Sequence, residues 1–327
     1  MLQYIGRRVL QFIPVFLGVT LMLFILTRVI PGDPVAMLSG QRAQSPQILA
    51  QMRHAYGLDL PLPQQYLRYL SDIAHGNFGQ SIATGRPVRE IFAEKYPYTL
   101  ELAFAAILVE IIVGISAGVI SAVKQYSFWD VTVTLSTSLL VSLPVFWLGM
   151  LLQMFFGIWL KNWTNGQLYL PMSGAGGAGA PFPSYVYLIL PAITLASVST
   201  AYAARIMRSQ LLEVNGSDYI RTARAKGLSE GAVLRRHAIK NALIPVVTFI
   251  ALDLGAMMSG AILTETVFNW PGIGYAIYTA INKRDWPVVI GATIIVTLVY
   301  MIINLIVDIS YAFLDPRIRY GGSEGRQ

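Results

Sequence analysis

The sequence predicts an all-α polytopic membrane protein with six transmembrane helices and a small extracytoplasmic region between the first two. Hydrophobic residues make up 55% of the 327-residue chain. Charged residues make up 13%, against about 25% in soluble domains, so lipid is the solvent for most of the surface. Apolar segments of roughly 20 residues or more, the length a bilayer core requires, recur six times.

The first segment, Val9–Ile30, follows a start that carries Arg7 and Arg8 and has the charge of a secretory signal. Its apolar run is too long for one and no small-residue cleavage site follows, so it reads as an uncleaved span with the N-terminus inside, residues 1–30. Residues 31–98 read as an extracytoplasmic insertion, punctuated by Pro31, Pro34, Pro61, Pro63 and Pro87, with an amphipathic helix expected from Pro46 to Tyr56. Thr99–Val123 and Val131–Leu160 are the second and third spans, and Pro144 is expected to kink the third. The loop Lys161–Ser184 contains the glycine-rich run Gly174–Gly179, a flexible connector by composition. Tyr185–Ala204 follows, with a kink expected at Pro191, and then Leu243–Thr264 and Val288–Ala312. The core is thus 99–312 and the tail 313–327; Arg317, Arg319 and Arg326 after the last span put both termini in the cytoplasm. Tyr96, Tyr98, Trp159, Trp163 and Trp286 fall where aromatic belts sit at the outer interface.

Between the fourth and fifth spans lies the basic segment 205–242. Arg205, Arg208, Arg221, Arg224, Lys226, Arg235, Arg236 and Lys240 stand there against Glu213, Asp218 and Glu230, which places the segment on the cytoplasmic side. Asn215 and Ser217 are suited to cap a short helix through Ile220 to Ala225, Gly227 to end it in a left-handed conformation, and Ser229 to cap a second helix through about Asn241. Charge alone requires no such order, so the segment reads as a docking loop. The net charge of +7 sits largely in these cytoplasmic parts and no nucleic-acid motif accompanies it.

The chain has no cysteine, which excludes disulfides, thiolate metal sites and a cysteine nucleophile. Gly174–Gly179 satisfies G-x-G-x-x-G, but it precedes Pro181 and Pro183 in an outer loop, without the strand and helix a dinucleotide needs. Gly114, Ser116 and Gly118 satisfy G-x-S-x-G within a span, yet His54, His75 and His237 all lie outside the spans, so Ser116 has no base. The small residues read instead as a close helix contact, and the scattered histidines offer no metal site. Glu101, Glu110, Asp253 and Asp308 are acids inside spans, costly in hydrocarbon, and are divided between polar glue and pathway lining; Glu265 lies nearer the outer surface. An ion-coupled secondary carrier would pair such acids with bases at similar depth, but the spans hold almost none beyond Arg28, and no inverted repeat is present. No G-x-x-x-x-G-K-[ST] loop occurs, so this chain supplies no ATP hydrolysis.

One family unites these features. Pro31-Gly32-Asp33-Pro34, Asp218–Gly227, Asn241–Pro245, Thr264–Gly274, Arg284–Val288 and the tail Asp315-Pro316-Arg317 resemble the permease subunits of binding-protein-dependent ABC importers, in the dipeptide/oligopeptide/nickel branch. The resemblance covers nearly the whole chain and implies the type I importer permease fold in a prokaryotic plasma membrane. It implies that Gly216, Asp218, Tyr219, Arg221, Thr222, Ala223, Arg224, Ala225, Lys226 and Gly227 couple to a separate ATPase. Arg221-Thr222-Ala223 stands where the general importer pattern has Glu-Ala-Ala, a variant the peptide branch shares. Glu265, Phe268, Trp270, Pro271 and Gly272 become gate candidates at the outward end, and Glu110, Asp253 and Asp308 pathway candidates. The implied partners are a second homologous permease, two ATPase subunits that hold ATP and Mg, and an extracytoplasmic solute-binding protein; this chain itself needs no cofactor. Short peptides are the expected substrate, with nickel, glutathione or another small solute as the alternative.

Overall fold

The computed structural model describes residues 2–29, 47, 54, 59–258 and 261–314. Within them the chain forms α1 (Leu2–Val29), α2 (Leu62–Ala74), α3 (Val88–Val123), α4 (Phe128–Ser142), α5 (Val145–Trp163) and α6 (Ser184–Asn215). It continues with α7 (Asp218–Ala225), α8 (Glu230–Met258), α9 (Ile262–Val267), α10 (Ile273–Asn282) and α11 (Trp286–Leu314). No strand occurs among the described residues, only one antiparallel bridge between Gln80 and Pro87. Among the described residues five helices are long and apolar enough to cross a membrane, namely α3, α5, α6, α8 and α11 from Trp286 to Val307, and α1 holds the shorter apolar stretch Leu10–Leu26. The all-α membrane class is thereby met.

The chain divides into two compact units, Met1–Tyr96 with Ala276–Gln327, and Pro97–Tyr275. In the second, α6 is the central helix: Leu190, Ala192, Ala196, Ala201, Ala203, Ala204, Met207 and Leu211 are all buried. The glycines of α3 explain how a neighbour comes so close. A Cβ on Gly118 would lie 2.6 Å from the Ala204 carbonyl oxygen and from Met207 Cβ, and one on Gly114 would lie 3.1 Å from the Thr200 carbonyl oxygen. Ser116, between them, is exposed. The G-x-S-x-G pattern is therefore a backbone-to-backbone helix contact, the small-residue packing that dominates in lipid.

Proline acts differently at each site. α6 runs unbroken through Pro191, which is buried. The stretch expected as the third span is divided rather than kinked: α4 stops at Ser142, Leu143 is extended at φ −89° and ψ 136°, and Pro144 opens α5, which alone of the two is long and apolar enough to cross a membrane. A residue before proline is pushed out of the helical region, and Leu143 obeys that rule. Three π-helical turns, Glu110–Gly114, Gln153–Trp159 and Leu234–Ala238, interrupt α3, α5 and α8.

Two helices run past the bounds the sequence suggests. α3 begins at Val88, within residues 31–98, and carries Pro97 inside it. The helix expected to stop near Asn241 continues as α8 through Pro245 to Met258, joining the basic segment to the fifth span without a break.

In the first unit, α2 leans on α1 through Tyr66, whose hydroxyl lies 3.0 Å from Thr20 Oγ1, and through a Phe24–Tyr66–Tyr69 ring cluster. Buried Asp285 gathers the turn before α3: it accepts from Ser81 Oγ at 2.5 Å, Ile82 N at 3.0 Å and Ala83 N at 3.3 Å. The Pro31–Pro34 motif, the helix expected at Pro46 to Tyr56 apart from Gln47 and His54, and the tail from Asp315 lie outside the described residues.

Candidate functional site

The basic segment forms a two-faced helix. Ile220 and Ala223, three residues apart on α7, are 0% and 6% exposed and pack into the same cluster as Met207, Leu211 and Val233. Asp218, Tyr219, Arg221, Thr222, Arg224 and Ala225 are exposed, as are Gly216, Lys226 and Gly227. Of the residues the resemblance singles out, Ala223 thus faces inward and anchors the helix; the others are presented outward.

The ends of α7 are set by the backbone more than by side-chain caps. Ser217 occupies the N-cap position, yet its hydroxyl donates backward to the Val214 carbonyl at 2.6 Å instead of capping α7. Asp218 supplies the negative charge that a helix start favours and pairs with Arg221. Ser229 likewise stands at the N-cap of α8 without a side-chain cap, while its carbonyl accepts from Ala232 N and Val233 N, each at 2.9 Å. Gly227 has φ +77°, and a Cβ there would meet nothing within 4 Å. Glycine is required at that elbow for its left-handed backbone alone. Gly216, at φ −80°, has no such need.

Two contacts brace the elbow. Arg224 forks onto Glu230, Nε to Oε1 at 2.9 Å and Nη2 to Oε2 at 3.3 Å, and Asn241 Nδ2 donates to the Tyr219 hydroxyl at 3.0 Å. α7 is thereby fixed to the start of α8 as well as to the end of α6. Sequence reasoning missed a further group close to this segment: Arg208 forks onto Asp130, both bonds at 2.8 Å, with Ser121 beside them. The signal was an acid at the start of an apolar helix, which requires a partner once buried, and an arginine before the loop proper.

The second stretch, Glu265 to Gly274, closes on itself. Glu265 is 0% exposed. Its Oε1 accepts from Thr99 Oγ1 at 2.8 Å and its Oε2 from Tyr275 N at 3.0 Å. Thr99 Oγ1 in turn accepts from Ile273 N at 2.8 Å, and Trp270 Nε1 donates to the Tyr98 carbonyl at 2.8 Å. Glycine makes room for the carboxylate: a Cβ on Gly272 would lie 2.5 Å from Glu265 Cδ, and one on Gly274 would lie 2.6 Å from Ile262 Cα. Phe268 and Trp270 are buried, Pro271 is half-buried, and Asn269 takes a left-handed φ of +46°. The gate candidates are therefore brought together as a packed knot around one carboxylate.

The remaining acids separate. Glu110 sits on the π-turn of α3, fully buried, and faces Asp253 of α8; neither Glu110 oxygen nor Asp253 Oδ2 has a hydrogen-bond partner among the described residues. Glu101 is exposed, and Asp308 lies in α11 with its side chain outside the described residues. No group of three or more His, Cys, Asp or Glu able to hold a metal occurs among the described residues.

Comparison with known proteins agrees with this architecture. Residues 1–103 match the family model described as binding-protein-dependent transport system membrane component, N-terminal, and residues 114–320 match the one described as binding-protein-dependent transport system inner membrane component. The di/tripeptide transport system permease protein DppB of Pseudomonas aeruginosa is 44% identical, over 98% of this chain and 99% of that protein. The dipeptide transport system permease protein DppB of Escherichia coli K12 is 41% identical over the same shares, and its probable D,D-dipeptide transport system permease protein DdpB is 42% identical over 94% of each. With both family models matched and relatives aligned along almost its full length, the chain belongs to the binding-protein-dependent transport system inner membrane components.

Proposed function

We propose that this chain is the permease subunit of an ATP-driven ABC importer and forms half of a translocation pathway for short peptides by alternating access. The observation that carries the coupling role is the construction of α7: Ile220 and Ala223 are buried in the bundle while a row of polar and charged residues faces out, and Gly227 turns the chain back into α8. A short helix so anchored moves with the span it is seated on, which is what a lever driven by an ATPase requires. The peptide substrate is supported by the names of the relatives, each a di- or tripeptide or D,D-dipeptide permease. ATP and Mg are in this reading held by partner ATPases, because this sequence carries no phosphate-binding loop of its own. In this reading a second homologous permease completes the pathway, a solute-binding protein delivers the peptide, and α7 and both termini face the cytoplasm.

The test is purification of the chain from its native membrane in mild detergent, mass spectrometry of what accompanies it, and reconstitution of that complex. The expected result is a second permease, ATPase subunits and a binding protein, with ATP-dependent uptake of a labelled dipeptide into proteoliposomes. Recovery of the chain without any ATPase, or uptake driven by an ion gradient in the absence of ATP, refutes the reading.

A further inference from the structure

We infer that Arg208 is a positioning residue of the transport cycle: by gripping Asp130 it makes α4 move as one body with α6 and α7, so that the third span bends at Leu143–Pro144. This rests on the coupling role of α7 proposed above.

The grip is specific in direction. Arg208 Nε and Nη2 each donate to a different Asp130 oxygen at 2.8 Å, a two-pronged contact that fixes rotation as well as distance. Asp130 also accepts from Ser121 Oγ at 2.5 Å and Tyr126 N at 2.8 Å, and its side chain is 6% exposed. Three residues earlier on α6, Arg205 donates to Thr137 Oγ1 at 3.3 Å and to Ser138 Oγ at 3.0 Å. Two arginines of one helix thus hold α4 at its first turn and again about two turns on. Below them, Met207 and Leu211 share the buried cluster with Ile220 and Ala223. The chain of contacts from α7 through α6 to α4 is continuous.

The far end of α4 is free in the one respect that matters. Leu143 N closes the α4 ladder on Leu139 O at 3.2 Å and Leu148 N begins the α5 ladder on Pro144 O at 3.0 Å; no backbone hydrogen bond runs from α5 back to α4. A displacement of α7 is then delivered to the third span as rotation about the dihedrals of Leu143 and Pro144, a hinge of the usual kind, a few residues at an element end. A forked arginine–carboxylate pair suits this task, since its two parallel hydrogen bonds add geometric specificity that an apolar contact lacks.

The experiment uses the complete transporter in proteoliposomes with its binding protein and labelled dialanine, comparing the natural chain with Arg208→Lys and Arg208→Met. Dialanine carried per ATP hydrolysed is expected to fall about tenfold in Arg208→Met, the scale of a coupling between sites, and to fall less in Arg208→Lys. An unchanged ratio, or uptake and hydrolysis that fall in proportion, overturns the inference. Spin labels on the unsubstituted Arg208 background decide the matter even if Arg208→Met does not assemble. The Thr132→Cys to Ser209→Cys distance, α4 to α6, is expected to stay constant through the ATP cycle while Thr132→Cys to Met150→Cys, α4 to α5, changes; the reverse overturns the hinge. Loss of ATP-driven uptake in the natural chain would instead overturn the proposed function.

Discussion

Thr99→Val removes one hydroxyl and thereby cuts the knot around Glu265. That hydroxyl donates to Glu265 Oε1 and accepts from Ile273 N, both at 2.8 Å, and Thr99, Glu265 and Ile273 are 1%, 0% and 2% exposed. Valine fills nearly the same volume but leaves an amide and a carboxylate oxygen buried without partners. Each orphaned group costs about 1–3 kcal/mol, more where it is charged, so the pair costs roughly 2–6 kcal/mol. Thr99→Ser is the control: it keeps both hydrogen bonds and loses one methyl group, about 0.8 kcal/mol. The assay is the thermal unfolding midpoint of the detergent-purified complex, followed by size exclusion after heating. The expected order is natural chain, then Thr99→Ser slightly below it, then Thr99→Val well below both. A Thr99→Val midpoint equal to or above that of Thr99→Ser would show that Glu265 is not held by this hydroxyl and would refute the reasoning.

Gly227→Val is expected to uncouple ATP hydrolysis from uptake, since left-handed backbone costs an L-residue roughly 1–2 kcal/mol and a β-branched one more, while Gly227→Asn retains much of the coupling; uptake per ATP in proteoliposomes measures both. Gly118→Ala is expected to lower folded yield, because its Cβ would press on the Ala204 carbonyl at 2.6 Å and overpacking costs about 1–3 kcal/mol, whereas Ser116→Ala leaves uptake unchanged; monodisperse yield and uptake check the pair. Asp218→Ala with Arg224→Ala is expected to weaken co-purification of the ATPase while membrane levels of the chain stay the same, both side chains being exposed. Ile220→Ala, by contrast, empties a fully buried site worth about 2–5 kcal/mol and is expected to lower both.

What the sequence disclosed followed from local rules. The apolar lengths located the long apolar helices, and the left-handed Gly227 and the inward glycines 114 and 118 were legible because each answers to one steric demand. The caps at Ser217 and Ser229 were legible as positions and not as bonds, since a hydroxyl has several acceptors within reach and Ser217 takes the one behind it. What could not be read was long-range. Nothing near Glu265 in sequence announces that Thr99, 166 residues earlier, will donate to it, and a carboxylate beside an apolar run reads as equally suited to a surface. Asp130 and Arg208 are 78 residues apart and meet only where α4 packs against α6, with Ser121 of α3 beside them. Pro144 and Pro191 carry the same local signal, yet one divides a span and the other sits inside an unbroken helix.

The central place of α6 also sets a timetable for biogenesis. A ribosome delivers α3, α4 and α5 to the membrane before any of α6 exists, and at that stage Asp130 has no arginine and the faces of Gly114 and Gly118 meet only lipid. Early helices of this chain therefore wait, inserted but unmatched, until Ser184–Asn215 emerges and supplies all three partners at once. A nascent chain halted before Ser184 holds Asp130 without its arginine and the glycine faces of α3 without their partner helix, which gives membrane quality control something to recognise in that interval.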